Sequence, residues 1–140
     1  MLMDNGAKSE GKRVFICSPY RPRGETEKER QADLEKNLKI AREACSYALG
    51  HGFIPYAPHL YFPQFLSDED AGEREKGIRC GLKWLAQCDE LWVIGSRVTE
   101  GMKTEIRTAE EAGIPVRQML FSEDLIDALC EMWFGFTLSD

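Results

Sequence analysis

A chain of 140 residues, 43% hydrophobic and 30% charged, fits one ordinary domain with a real core and needs no disulfide or metal staple. The formal net charge of -6 argues against nucleic acid as a partner, because gripping its backbone takes clustered Lys and Arg to neutralise phosphates. No run approaches the roughly 20 apolar residues of a membrane span, and the five cysteines form no C-x-x-C pair, so neither a membrane nor a zinc role is expected.

Residues 1–12, MLMDNGAKSEGK, are polar where a signal peptide would be apolar, and read as a flexible arm of a cytoplasmic protein. Cys17 and Cys45 sit among apolar residues, as core thiols of a reducing compartment do. The first element is residues 13–18, RVFICS, an apolar run that reads as a buried strand. A charged stretch follows in which Leu34, Leu38, Ala41, Cys45 and Leu49 recur at helical spacing, giving an amphipathic helix that ends near Gly50 and Gly52. His51, in its last turn, has the ordinary task of bonding helix C-terminal carbonyls. Residues 53–57, FIPYA, form a second strand, placed at an edge by Pro55, which has no N–H to donate.

A loop, APHLYFPQFLSDED, leads into a helix over about residues 70–87, with Ser67 or Asp68 as N-cap and Ile78, Leu82 and Leu85 on its buried face. Residues 90–95, ELWVIG, make the third strand. Thr99 caps a helix running to about residue 112, with Met102, Ile106 and Ala109 inside, and Gly113 closes it before a fourth strand over residues 114–117. A last helix over residues 123–132 precedes the tail. This alternation predicts a single α/β domain over residues 13–134 with a C-terminal tail over 135–140. The fold expected is Rossmann-like (flavodoxin-like), a three-layer sandwich whose parallel sheet has four to five strands in the order 2-1-3-4.

In such sheets ligands bind beyond the carboxyl ends of the strands at the switch point, which selects the loops SPYRPRG, PHLYFPQF and GSRVTEGM. The first carries Ser18, Tyr20, Arg21 and Arg23 ahead of a helix start. Its arginines either offer bidentate donors to a phosphate or pair on the surface with Glu25 and Glu27. The third carries Gly95, Arg97, Gly101 and Met102. Glu105 lies about one and a half turns into the helix capped by Thr99, its side chain leaning back toward the first-turn amides. That placement predicts a carboxylate ionised at neutral pH, able to attack an anomeric carbon, or else an exposed helix Glu near Lys103. His59 either exchanges protons and bonds a phosphate or caps loop carbonyls. Asp89, opening the third strand, either bonds neighbouring amides or serves the site. Trp84, Trp92, Trp133, Phe134 and Phe136 read as core or subunit contact, whereas Tyr20, Tyr61 and Phe62 are better placed to stack on a ligand.

The runs VFICSPYR, GFIPYAPHLYFPQF, CDELWVIG and TEGMKTEIRTAEEAGIPV resemble the DUF4406-like bacterial and phage domains of the nucleoside 2-deoxyribosyltransferase superfamily, over about residues 13–118. In the transferases that this superfamily resemblance brings in, the Glu matched by Glu105 is the nucleophile that forms a glycosyl-enzyme intermediate. The resemblance also marks departures. Gly81 and Thr99 stand where those enzymes carry Asp, Phe15 replaces an aromatic hydroxyl, and Arg107 replaces a Gly; Glu100, Tyr20 or His59 would have to supply the leaving base with its proton. It implies a nucleoside- or nucleotide-binding protein without a cofactor, an N-glycosidase whose Arg21, Arg23 or Arg97 holds a 5'-phosphate. The rival expectations are a non-catalytic nucleotide sensor or accessory protein, and a protein-interaction domain. A homo-oligomer is expected in which neighbouring subunits complete each site.

Overall fold

The computed structural model describes residues 10–121; the expected last helix, the tail, Trp133, Phe134, Phe136 and most of the N-terminal arm lie outside them. Four parallel strands, β1 (Arg13–Cys17), β2 (Ile54–Tyr56), β3 (Glu90–Ile94) and β4 (Val116–Met119), form one sheet in the order β2-β1-β3-β4. This is the expected α/β three-layer arrangement. The edge position of β2 accommodates Pro55, whose nitrogen has no ladder bond to give.

Side chains alternate across the two central strands and so define two cores. Phe15, Cys17, Leu91 and Val93 point to one face and meet Leu85, Met102 and Ala109. These last three come from α3 (Ala71–Leu85) and α4 (Glu100–Glu111). Val14, Ile16, Trp92 and Ile94 point to the other face and meet Ala44 and Ala48 of α1 (Glu27–Gly50). Buried Glu90 is held at the sheet by Trp92 Nε1, which donates at 2.9 Å, and by Arg117 at 3.2 Å.

Several boundaries and faces differ from the sequence reading for local reasons. Helix α1 buries Asn37, Ala41, Ala44 and Ala48, while Leu49 is 63% exposed. Small alanines let the helix approach the sheet closely, and this rotates the apolar face away from the leucines. The loop after β2 is itself helical, with α2 (Pro58–Tyr61) running into a 3-10 turn over Phe62–Gln64. Helix α3 is capped by Asp70 rather than Ser67 or Asp68, its carboxylate accepting from Glu73 N at 2.9 Å. Ile78 is 47% exposed instead of buried, because it faces a cavity described below. Strand β4 starts later than expected, since Ile114 N still bonds Ala109 O at 2.8 Å and Pro115 cannot donate. The helix that Thr99 caps is as expected, with Thr99 Oγ1 accepting from Met102 N at 3.3 Å.

Candidate active site

Beyond the carboxyl end of β1, the chain's first crossover loop, α2, the inward face of α3 and the first turns of α4 surround a cavity of about 380 Å³. Of the residues singled out in the sequence, Tyr20, Arg21, His59, Gly101, Met102 and Glu105 line it. Ser18, Arg23, Asp89, Gly95 and Arg97 do not.

Glu105 is part of the cavity wall. Its Oε1 is shielded from solvent and has no hydrogen-bond partner, and the carboxyl makes a hydrogen bond with the Cys17 thiol. Burial pushes its pKa up to about 7, against the expectation of a fully ionised group. Loss of hydration outweighs the helix dipole here, because the side chain lies under protein rather than at the open end of the first turn. Cys17, which also reaches Met102 O at 3.8 Å, is pushed well above the ordinary thiol range by burial and by the facing carboxyl. It is a neutral donor rather than a nucleophile.

His59 stacks on Tyr20 with ring centroids 4.8 Å apart and hydrogen-bonds to the Ser18 backbone. Burial pushes its pKa down to about 4, so the imidazole is neutral at pH 7. Tyr20 is held above the ordinary phenol range by burial and by Asp68. Tyr20 and Phe62 line the cavity as stacking surfaces, whereas Tyr61 is half exposed outside it and Trp84 stacks on Tyr56. Trp92 is core.

The arginines separate. Arg21 lines the cavity and pairs with Asp68 at 3.1 Å, not with Glu25 or Glu27. Arg23 turns to Asp33, whose carboxylate accepts from Arg23 N at 2.7 Å. Arg97 reaches Asn37 Oδ1 at 3.4 Å, and Asn37 in turn donates to Tyr20 O at 3.1 Å, so this pair braces the loop from behind. Asp89 is at the amino end of β3, accepting from Arg13 N at 2.8 Å. Five strand residues at about 3.3 Å each put it roughly 16 Å from the ligand crevice, which makes its role structural. Gly95, with φ of 91°, ends β3 and bonds Met119 O at 2.9 Å, while the Ser18 hydroxyl is buried without a partner outside the cavity wall.

Sequence reasoning missed Asp68, Arg74 and Gly77 in the wall, and placed Ile78 in the core. Arg74, Gly77, Ile78 and Gly81 follow i, i+3, i+4, i+7 spacing, a signal for one helix face that does not say whether core or cavity lies against it. Gly81 and Thr99, the two positions where the resemblance expects Asp, are both in the wall. Among the described residues no group of three or more His, Cys, Asp or Glu is placed for a metal ion, and no helix is long and apolar enough to cross a membrane.

Comparison with solved structures finds a 2-deoxyribosyltransferase from the psychrotolerant bacterium Bacillus psychrosaccharolyticus. The likeness has a TM-score of 0.58 at 16% identity and covers 77% of this chain and 72% of that one. At that identity it shows a shared fold, a deoxyribosyltransferase-like α/β sandwich. Among curated proteins none matches the sequence. The family model that matches is a domain of unknown function, DUF7768, over residues 12–119, and the DUF4406-like assignment expected from the motifs is not what the comparisons show. Because that match spans every strand and helix of the described fold, the chain belongs to the DUF7768 family.

Proposed function

We propose that this chain binds a nucleoside in the cavity beside Glu105 and cleaves its N-glycosidic bond through a covalent glycosyl-Glu105 intermediate. The observation that carries this reading is Glu105, a carboxyl in the wall of an open cavity of about 380 Å³ whose buried Oε1 is left without a hydrogen bond. A buried acceptor without a partner is costly, and a catalytic role is one reason for a fold to keep one. The likeness to a 2-deoxyribosyltransferase supports the choice of ligand.

In the first step a Glu105 oxygen bonds the anomeric carbon as the C–N bond breaks, its electron pair going to the base nitrogen, which takes up a proton. In the second, water bonds that carbon, the ester C–O bond breaks, the carboxylate is restored and the water's proton is released. The second reactant could equally be another base, which would make the reaction a transfer. Of the groups that could relay the proton, neutral His59 and the hard-to-ionise Tyr20 phenol serve poorly. Exposed Glu100, on the cavity wall beside Lys103 at 3.1 Å, is open to solvent and can pass a proton from water to the base.

The wall carries Arg21 and Arg74 but also Asp68, Glu73, Glu100 and Glu105; Arg21 is paired with the Asp68 carboxylate, and Arg74 donates to the Asp68 backbone carbonyl. An uncharged nucleoside therefore suits it better than a 5'-monophosphate. The rival reading, a non-catalytic nucleotide sensor, draws on Gly81 and Thr99, which put no carboxylate where the resemblance expects two. A cytoplasmic homo-oligomer belongs to the same proposal, and light scattering at the 16.0 kDa monomer mass would contradict its assembly.

The test is incubation with nucleosides and their 5'-monophosphates, followed by chromatography for free base. Release from a nucleoside, abolished in Glu105→Gln, is the expected result. Ligand-induced thermal shifts with no release from any member of the panel would support the sensor instead.

A further inference from the structure

We infer that Gly77 and Gly81 form a flat floor in the cavity for the planar ring of the ligand, and that the missing methyl groups set which rings fit. The inference rests on the nucleoside reading and assigns one half of the cavity to the base. The two glycines lie one turn apart on the inward face of α3, and both line the cavity. Glycine is the poorest helix former after proline, so two of them in mid-helix need a reason.

Backbone conformation is not the reason, because neither has a positive φ. Packing is not the reason either. A methyl group on Gly81 would meet only Pro58 Cβ at 3.9 Å, and one on Gly77 would meet Leu66 Cδ1 at 3.5 Å and Phe62 Cβ at 4.0 Å, all ordinary van der Waals contacts. The fold has room for both methyls and leaves that room open to the cavity.

Independent evidence for an occupant is Glu105 in the wall of the same cavity, a largely buried carboxyl whose Oε1 has no partner in the protein. The chemistry of the walls decides which part of the ligand goes where. Around the glycines stand Pro58, Phe62, Leu66 and Ile78, where sugar hydroxyls would lose hydrogen bonds but the face of a heteroaromatic ring loses none. The sugar then belongs beside Glu105, Thr99 and Thr104, and the base lies over half-buried Gly77 and buried Gly81, where no side chain rises from the helix.

The test uses free adenine and thymine, which have no glycosidic bond, so that binding is read without catalysis. Ligand-observed NMR titration is run on wild type, Gly77→Ala, Gly81→Ala and, as a control on the exposed side of the same helix, Cys80→Ala. The glycine variants are expected to melt at or above the wild-type Tm, as better helix formers, yet to bind base about tenfold more weakly or worse, the scale of one misplaced methyl in a fitted pocket. Cys80→Ala should bind as wild type. Glycine variants that bind base as well as wild type, or that unfold, would overturn the floor, as would wild-type cleavage of nucleosides without affinity for either base. Wild type that binds neither base nor nucleoside would overturn the nucleoside reading itself, and the floor with it.

Discussion

Replacing Glu105 by Gln should make the protein more stable, by an amount that grows as pH rises from about 4.5 through about 7. The amide keeps the shape of the side chain and its contact with Cys17 but cannot ionise. Moving the native carboxyl from its ordinary 4.5 to about 7 corresponds to about 3 kcal/mol of differential interaction between folded and unfolded chains. The folded pKa is raised, so the native state binds the extra proton. Wild type has this stability in full below pH 4.5 and loses it as pH rises through about 7. Urea unfolding of both proteins near pH 5 and pH 8.5 reads the difference. The gap in favour of Glu105→Gln should be under about 1 kcal/mol near pH 5 and reach about 3 kcal/mol at pH 8.5, since charging a buried group is what it avoids. A gap equal at both values, or a wild type that is the more stable at pH 8.5, would refute the claim that Glu105 is desolvated in the cavity.

His59 acts in the opposite sense. Its pKa is lowered to about 4, so its contribution is present above pH 6.5 and lost as pH falls through 4. His59→Phe should keep the stack on Tyr20, cost about 1 kcal/mol at pH 7 for the bond to Ser18, and flatten the acid limb of a Tm-versus-pH curve. Cys17→Ala removes a hydrogen bond that lowers the pKa of Glu105, so the midpoint of base release against pH should move to the alkaline side of wild type. Asp89→Ala should cost about 1 kcal/mol in urea unfolding and leave nucleoside titrations unchanged, because its bond to Arg13 N lies at the far end of the sheet.

The first three strands were legible because each is a short apolar run ended by Gly or Pro, and the parallel order follows from the helices between them, while the fourth, VRQM, was placed two residues early. Helix faces were less so. On α1, alanines rather than leucines meet the sheet, a choice made by how closely the two layers approach. On α3, a stripe with core periodicity faces a cavity, and periodicity alone does not tell these apart. Glu105 was legible through its distance from the Thr99 cap, while its protonation was not, since burial is a property of the assembled fold. Arg23 and Arg97 stand apart from the cavity that Arg21 lines, for a related reason. Asp33 and Asn37 on α1 take up Arg23 and Arg97, and the Asn37 partner is 60 residues from Arg97 in sequence.

The central claim is that Glu105 bonds covalently to a sugar. The most direct measurement is incubation with a 2'-deoxy-2'-fluoronucleoside, whose electronegative substituent slows breakdown of a glycosyl ester, then acid quench, digestion and mass spectrometry of the peptide containing residue 105. The account predicts the mass of one fluorinated sugar on Glu105, formed with an equal amount of free base and absent from Glu105→Gln. Base released with no adduct on that peptide, or an adduct that persists in Glu105→Gln, would contradict it.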